Sequence, residues 1–157
     1  MQGKMFEQIS IKWIDVFVNV VIDRDLVLSL SFSKFPIDNK GSSKLYNRLK
    51  KDLEKYFSGK KINFLKYKVK YPNKKFSKTV LKEVRKIPYG CVVTYDELSK
   101  IVSSSPRAVG QALRTNKVPI LIPCHRVVSK KGIGGFSFGI EIKKKLLKLE
   151  GALKQIN

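Results

Sequence analysis

The chain has 157 residues, of which 43% are hydrophobic, and a formal net charge of +21 from 33 Lys and Arg against 12 Asp and Glu. This length allows one domain with a sizeable core or two small ones, and the apolar content excludes wholesale disorder. No apolar run approaches transmembrane length, no leader-like segment follows Met1, and two cysteines are too few for a disulfide framework. We therefore expect a soluble, cytoplasmic protein with no membrane partner.

The excess of basic residues indicates a polyanionic partner. Nucleic acid is the first candidate and an anionic membrane surface the second, while a basic proteome that uses lysine for solubility is the alternative explanation. One histidine and two cysteines cannot complete a four-ligand structural zinc site without carboxylates. We predict neither a metal nor a cofactor.

The first half of the chain predicts a β-hairpin followed by a helix. Residues 13–22 and 26–32 are rich in Val, Ile, Leu and Phe and flank an Asp-Arg-Asp turn. Residues 45–57 carry apolar side chains at helical spacing. A lysine-dense linker follows, so we place the domain boundary between residues 1–72 and 73–157.

The second half predicts several short helices. An apolar stripe over residues 76–87 indicates the first. Thr94 and Glu97 form the pattern of a capping box, in which each side chain bonds a backbone N–H at the helix start. Ser105 is placed to cap another helix, with Pro106 at its first position. Two short helices joined by a polar turn are candidates for a helix-turn-helix, although such caps are common in other folds.

The second of these helices has a basic, exposed face. That face holds Arg107, Gly110, Gln111 and Arg114, and the two arginines favour contact with phosphate. Glycine within a helix costs about 1 kcal/mol relative to alanine. Close approach of a DNA strand or of a neighbouring helix would each explain Gly110.

Residues 119–128, PILIPCHRVV, combine an apolar run with three reactive or charged side chains. The run predicts a buried strand or extended segment. Cys124, the single histidine His125 and the fixed cation Arg126 follow it. A base or positive charge activates a thiol as a nucleophile, whereas a structural cysteine beside a surface histidine is the simpler interpretation. The glycine-rich residues 129–139 predict either a ligand-binding loop or a plain surface loop.

The chain closes with an amphipathic helix. We expect its apolar face to be buried and its lysines to be mostly solvated. The expected core positions are Ile142, Leu146, Leu149 and Leu153, and the expected solvated positions are Lys143, Lys144 and Lys145. Glu150 falls within this helix, and the simpler interpretation of it is an exposed carboxylate that balances neighbouring lysines.

Five segments of the second half resemble the O6-alkylguanine-DNA alkyltransferases, the methylated-DNA–protein-cysteine methyltransferases. They are SPRAVGQAL at 105–113, Asn116 with VPILIP after it, PCHRVV at 123–128, GGFSFG at 134–139 and LLKLEG at 146–151. The fold that we predict is α+β. A small N-terminal domain of antiparallel hairpin or sheet plus helix would pack on a mostly helical C-terminal domain with a helix-turn-helix.

This resemblance implies direct-reversal DNA repair. Such a protein flips O6-alkylguanine out of double-stranded DNA and moves the alkyl group irreversibly onto its own cysteine, once per molecule. Cys124 matches the acceptor, His125 the base that acts through a water, and Glu150 the carboxylate that orients the histidine. Tyr95 matches the hydroxyl that donates toward N3 of guanine, and Asn116 the residue that ties the recognition helix to the active-site segment.

The resemblance also implies how the base would be held. The backbone carbonyls of Cys124 and Val127 would accept from the exocyclic amine, and Ser137 would bond the O6 atom. Phe136 would cover the flipped base, in a position where many relatives have tyrosine. Arg126 is assigned to the same substrate-binding group.

On DNA, Arg107 matches the arginine that enters from the minor groove and fills the space left by the flipped base. Ala108 and Gly110 are small enough for a close approach of the helix, and Gln111 and Arg114 complete the predicted DNA-binding face. Tyr95 is assigned to the DNA contact as well. The expected partner is duplex DNA that contains O6-alkylguanine, bound by a monomer associated with the nucleoid.

Three other functions account for the sequence less well. An alkyltransferase-like damage sensor would have lost the acceptor cysteine, typically to tryptophan, whereas Cys124 is present. A transcription regulator would explain the basic helix but not the Cys-His segment or Tyr95. A Cys-His hydrolase holds its cysteine and histidine far apart in sequence. Residues 1–72 match the family only loosely and lack ligands for the zinc that some relatives bind there. Cys91 is predicted not to pair with Cys124.

Overall fold

The computed structural model describes residues 6–156 and has an α+β fold. The chain divides into two compact units, Met1–Lys70 and Tyr71–Asn157. The domain boundary that we predicted after residue 72 lies two residues beyond this division. No helix within residues 6–156 combines the length and the apolar character needed to cross a bilayer.

The first unit is a four-stranded sheet with one helix. Its elements are β1 (Glu7–Trp13), β2 (Val16–Asp23), β3 (Leu26–Ser33), α1 (Lys44–Phe57) and β4 (Lys68–Val69). The first three strands form an antiparallel meander, and β4 pairs with β3 in parallel at the edge. The helix packs on β1. Leu49 and Leu53 lie on the apolar face of this helix and have no exposed surface.

The prediction of a single strand over residues 13–22 is wrong. Trp13 ends β1 and pairs with Val16 at the start of β2, so residues 14 and 15 form a tight hairpin turn. Ile14 adopts φ of 55° there. A β-branched residue rarely enters the left-handed region, so Ile14 gives no turn signal and Asp15 is the only turn-favouring residue of the pair. The second turn contains Arg24 at φ 59° and lies where the Asp-Arg-Asp run predicted it.

The second unit is mostly helical, with one short parallel strand pair. Its elements are α2 (Lys75–Val84), β5 (Val93–Thr94), α3 (Tyr95–Ile101), α4 (Pro106–Leu113), a 3₁₀ turn (Cys124–Arg126), β6 (Val127–Val128), α5 (Ile140–Leu149) and a last 3₁₀ turn (Leu153–Gln155). Both α2 and α3 pack against α4. The pairing of β5 with β6 places the start of α3 beside the segment that carries the reactive side chains.

The predicted caps of α3 and α4 are confirmed. The Thr94 hydroxyl oxygen accepts from the N–H of Glu97 at 3.1 Å. In a capping box the Glu side chain bonds the backbone N–H of the cap residue. Here the Glu97 carboxylate instead accepts from the Thr94 hydroxyl at 3.0 Å. The Ser105 hydroxyl oxygen accepts from the N–H of Ala108 at 3.1 Å, with Pro106 at the first helical position.

Residues 119–122 form a tight turn, and the prediction of a strand or extended segment there is wrong. The N–H of Ile122 donates to the carbonyl of Val118 at 2.9 Å, and Ile120 adopts φ of 74°. The Asn116 amide supplies hydrogen bonds that a sheet would otherwise provide, because it accepts from the N–H of Val118 and donates to the carbonyl of Ile122. The apolar side chains are buried in a turn that a polar residue holds together.

Two expectations for the last helix are wrong, and a third feature decides between alternatives. Lys143 has no exposed surface, although it was expected to be solvated. Leu153 is 38% exposed because α5 ends at Leu149 and the helical spacing does not continue beyond it. Glu150 caps the helix and is only 6% exposed, so the alternative of a surface carboxylate is excluded.

Candidate active site

A cavity of about 600 Å³ opens in the second unit between α3, α4 and the glycine-rich loop. It is lined by Tyr95, Pro106, Arg107, Gly110, Leu113, Arg114, Cys124, Ser129, Gly134, Gly135, Phe136 and Ser137. Most of the residues predicted to hold a base or a DNA strand are therefore brought together. Within this lining Cys124 supplies the thiol.

Cys124 begins the 3₁₀ turn and is held from behind by Asn116. The Asn116 amide donates to the Cys124 sulfur at 3.1 Å and to the carbonyl of Ile122 at 2.9 Å. Arg85 supports the preceding turn, residues 119–122, through a 3.0 Å hydrogen bond from Nε to the carbonyl of Leu121. Because Asn116 lies just after α4, it connects the end of that helix to the thiol.

Cys124 is buried, with 6% of the residue exposed. Burial raises its pKa to about 11, and the hydrogen bond from Asn116 and the charge of Lys143 act in the opposite direction. A buried thiol of this kind is inert toward solvent and reacts only when its proton is removed in step with the chemistry.

Behind the cysteine, Glu150 accepts four hydrogen bonds. His125 Nε2 lies 2.7 Å from Oε2, and Arg126 donates through Nε to Oε1 at 2.8 Å and through Nη2 to Oε2 at 3.0 Å. The N–H of Gly90 donates to Oε1 at 3.3 Å. Burial raises the pKa of Glu150, but the hydrogen bonds and positive charges outweigh it and hold the pKa below its ordinary value. Glu150 is therefore a carboxylate.

The tautomer of His125 follows from this carboxylate. A carboxylate only accepts, so Nε2 carries the proton and Nδ1 holds the lone pair. Burial lowers the pKa of His125, and the hydrogen bond and charge of Glu150 offset this lowering only in part. The ring is therefore neutral at pH 7. Nδ1 is buried and bonds no described protein atom. The imidazole thus offers one basic nitrogen.

Arg126 does not line the cavity, so its assignment to the substrate-binding group is corrected. Besides the two bonds to Glu150, its Nη1 donates to the carbonyl of Ile87 at 2.7 Å. The guanidinium is 5.9 Å from the centre of the Tyr89 ring. These contacts fix Arg126 as the residue that holds Glu150 in place.

Tyr95 and the glycine-rich loop form one wall of the cavity. The Tyr95 hydroxyl donates to the carbonyl of Gly135 at 3.2 Å. Burial raises the pKa of Tyr95, so it keeps its proton. Gly134 has φ of 76°, and a Cβ at this position would lie 2.8 Å from the Tyr95 ring. Only glycine fits there, because both the backbone conformation and the contact exclude a side chain.

The exposed face of α4 borders the opposite wall. Arg107 and Arg114 are exposed at the cavity, and Gln111 is exposed outside its lining. Ala108 is half-buried and also outside the lining. A Cβ at Gly110 would meet no described atom within 4 Å, so close packing of a neighbouring helix does not explain this glycine.

Lys143 is a site residue that the sequence analysis missed. Its Nζ donates to the carbonyl of Val127 at 2.6 Å and to that of Gly135 at 2.8 Å. It also lies 5.8 Å from the centre of the Tyr95 ring. Spacing could have found it, because residues seven apart share a helix face and Lys143 precedes Glu150 by seven.

The fold and the cavity define an α+β protein that presents a buried cysteine beside a basic helix. A family model described as "6-O-methylguanine DNA methyltransferase, DNA binding domain" matches residues 75–152. The Methylated-DNA–protein-cysteine methyltransferase of Archaeoglobus fulgidus is 42% identical over 149 residues, which cover 90% of this chain and 97% of the relative. The protein of the same name from Metallosphaera sedula is 40% identical over 139 residues, covering 88% and 89%.

Among solved structures, the O6-methylguanine-DNA methyltransferase of Pyrococcus kodakaraensis is similar with a TM-score of 0.72 and 25% identity. The match covers 94% of this chain and 99% of that one. The chain belongs to the methylated-DNA–protein-cysteine methyltransferase family.

Proposed function

We propose that this protein repairs DNA by direct reversal, flipping O6-alkylguanine out of the duplex and transferring the alkyl group irreversibly to Cys124. The observation that carries the proposal is the buried thiol in a cavity of about 600 Å³, with a neutral histidine and a carboxylate behind it. Family membership supports the same reaction. The protein acts as a methylated-DNA–protein-cysteine methyltransferase and is used once.

In the transfer step, the sulfur of Cys124 attacks the alkyl carbon and the bond from that carbon to O6 breaks. A thioether forms, and the electron pair of the broken bond stays on the guanine. The thiol proton passes through a bridging water to Nδ1 of His125, and Glu150 stabilises the imidazolium that results. Asn116 holds the sulfur in place by its 3.1 Å hydrogen bond.

The guanine leaving group requires a proton donor, because its anion leaves poorly. Tyr95 lines the cavity and keeps its hydroxyl proton, which makes it the donor toward N3. Ser137 bonds O6, and Phe136 covers the base. The backbone carbonyls of Cys124 and Val127 accept from the exocyclic amine, which distinguishes guanine from adenine.

Duplex DNA binds across α4, with α3 and α4 acting as the helix-turn-helix. Arg107 enters the duplex from the minor groove and fills the space left by the flipped base, whose extrusion costs a few kcal/mol. Gln111 and Arg114 contact the backbone, while Ala108 and Gly110 let the helix approach closely. Contacts to phosphate and to DNA shape suit a repair protein that must accept any flanking sequence. The protein binds as a monomer, in the cytoplasm and at the nucleoid.

Intact mass after reaction with a duplex that carries one O6-methylguanine tests this function. We expect a gain of one methyl group per molecule, mapped to Cys124, and no gain with undamaged DNA or with Cys124→Ala. Tight binding of damaged DNA without a mass change would place the protein among damage sensors. Equal binding of damaged and undamaged DNA without transfer would overturn the proposal.

A further inference from the structure

The exposed side of α1 carries a continuous row of positive charge. Its members are four or three residues apart, the spacing that places side chains on one face of a helix. They are Lys44, Arg48, Lys51 and Lys55, and together they are called the α1 stripe. The first three are exposed and the fourth is half-buried. At about 1.5 Å per residue, the stripe extends over about 16 Å.

Helix stability does not explain this arrangement. Like charges three and four residues apart repel each other, and a cation in the first turn opposes the helix dipole. The first turn of α1 contains Lys44 and no acidic residue. Within residues 6–156, Lys44, Arg48 and Lys51 form no ion pair. A partner with closely spaced negative charges would offset the repulsion along the stripe.

One cation of the stripe is held in place by a buried cluster. The Tyr67 hydroxyl donates to the Asp52 carboxylate at 2.6 Å, and Lys66 pairs with the same oxygen at 2.9 Å. The guanidinium of Arg48 lies 5.3 Å from the centre of the Tyr67 ring, and the ammonium of Lys66 lies 5.5 Å from it. Tyr67 and Asp52 are both buried. A packed ring therefore positions the surface cations Arg48 and Lys66 before any partner binds.

The charge around the stripe is strongly positive. Burial raises the pKa of Asp52, but its hydrogen bonds to Lys66 and Tyr67 outweigh burial and hold the pKa below its ordinary value, so this residue is a carboxylate. Glu54 is the only other acidic residue of α1. The α1 stripe and Lys66 thus supply five cations against two carboxylates. A surface with this excess of positive charge attracts a polyanion.

The apolar face of α1 decides between two classes of polyanion. A helix that lies on an anionic membrane buries its apolar face in the lipid. In α1 that face is already covered, because Leu49 and Leu53 have no exposed surface and the helix packs on β1. A nucleic acid requires no such face. Duplex DNA carries one negative charge per about 1.7 Å of its axis, so a row of cations about 16 Å long can follow several phosphates.

We propose that the α1 stripe is a second contact surface for the phosphate backbone of duplex DNA, in addition to the contact proposed for α4. Arg48 binds a phosphate through its planar guanidinium, and the lysines act beside it as point charges. Such contacts raise the affinity for any DNA sequence. The proposal gives the first unit a role in DNA binding and does not depend on alkyl transfer.

The salt dependence of binding to an undamaged duplex tests the stripe. The variant K44Q/K51Q removes two of its exposed cations. K12Q/K34Q is the matched control, because it removes two exposed lysines of the first unit that lie outside α1. Lys12 precedes Trp13, whose ring packs on α1, and therefore lies on the other face of the sheet. Fluorescence anisotropy at several salt concentrations gives the slope for each protein.

Each lost phosphate contact reduces the salt slope by about 0.9. We expect the slope of K44Q/K51Q to be smaller than that of wild type by about 1.8, so that its loss of affinity between about 50 and 200 mM salt is about tenfold smaller. K12Q/K34Q and the charge-conserving K44R/K51R should both keep the wild-type slope. Equal slopes for K44Q/K51Q and wild type, or equal reductions in K44Q/K51Q and K12Q/K34Q, would overturn the proposal.

Two further measurements guard this result. Urea unfolding should show K44Q/K51Q to be at least as stable as wild type, because the substitutions remove repulsion between like charges. If the double variant unfolds, K51Q against K12Q decides the question, with an expected difference of about 0.9 in slope. Binding to phosphatidylserine vesicles that K44Q/K51Q weakens, with an unchanged DNA slope, would assign the stripe to a membrane and overturn the proposal. Methyl transfer is not measured, so a failure of transfer to Cys124 would leave the conclusion about α1 intact.

Discussion

At the scale of single residues, Glu150 shows how the interior of the site is held together. It receives hydrogen bonds from a histidine, an arginine fork and a backbone N–H, and it is 6% exposed. Such a carboxylate fixes the proton of His125 on Nε2 and leaves Nδ1 as the base. The same contacts make Glu150 a source of stability, because it neutralises the buried guanidinium of Arg126.

Replacing Glu150 with glutamine tests both roles. The amide keeps the shape but leaves Arg126 as an uncompensated buried charge, so we expect the free energy of unfolding to fall by about 3–5 kcal/mol at pH 7. Because the pKa of Glu150 is lowered in the folded state, its contribution is present above about pH 4 and is lost as the pH falls further. The difference between wild type and E150Q in urea unfolding should therefore narrow in acid.

Glu141 provides the control for this experiment. Its side chain is exposed in the first turn of α5, and its Oε1 lies 3.7 Å from Nζ of Lys144. An exposed pair contributes at most about 1 kcal/mol, so E141Q should unfold close to wild type at every pH. An E150Q protein as stable as E141Q would show that the buried network does not support the fold.

Residue chemistry was only partly predictable from the sequence. The adjacent Cys124 and His125 and the later Glu150 were found through their resemblance to a known motif. Lys143 was missed because lysine is almost never buried without a partner, and composition favours a solvated side chain. Its location depends on two carbonyl groups that come together only in the folded chain.

At the scale of elements, local caps determine where α3 and α4 begin. Thr94 and Ser105 each accept a hydrogen bond from an N–H three residues later. These signals are contained in four consecutive residues, so the sequence predicts them correctly. The turn at residues 119–122 is different, because the side chain of Asn116 holds it and Ile120 enters the left-handed region. No pattern of neighbouring residues predicts that arrangement.

Ser105→Ala tests the cap of α4. The variant loses the acceptor for the N–H of Ala108, and we expect a decrease of about 1 kcal/mol in the free energy of unfolding. Ser104→Ala is the control, since this neighbour is exposed and no hydrogen bond involving its hydroxyl is seen within residues 6–156. Urea unfolding of both variants measures the difference. Equal stabilities would mean that the cap contributes nothing to α4.

At the scale of the whole molecule, the charge of +21 predicts strong dependence of DNA binding on salt. Each phosphate neutralised by a cation releases a counterion, so the logarithm of affinity falls linearly with the logarithm of salt concentration. Composition predicted this property without any knowledge of the fold. It could not predict which cations touch DNA, because that depends on the surface that α4 presents.

Arg114→Ala tests that surface. We expect weaker binding to any duplex sequence and a salt slope smaller by about one, as for the loss of one phosphate contact. Lys68→Ala is the matched control, because Lys68 is exposed in the first unit and pairs with Asp25 at 3.1 Å. Fluorescence anisotropy with undamaged duplex at several salt concentrations gives both slopes. Identical salt slopes for R114A and wild type would show that Arg114 does not contact the DNA phosphates.

The buried ionic groups of the second unit also carry a net charge that the reaction changes. Arg126 and Lys143 contribute two positive charges and Glu150 one negative charge, with His125 neutral, so the resting interior has one excess positive charge. Moving the thiol proton from Cys124 to His125 leaves this sum unchanged, because a thiolate and an imidazolium form together. Alkylation then removes the charge on sulfur and leaves the imidazolium, so a second excess positive charge remains until His125 releases its proton. The newly alkylated protein is therefore the state with the least balanced interior.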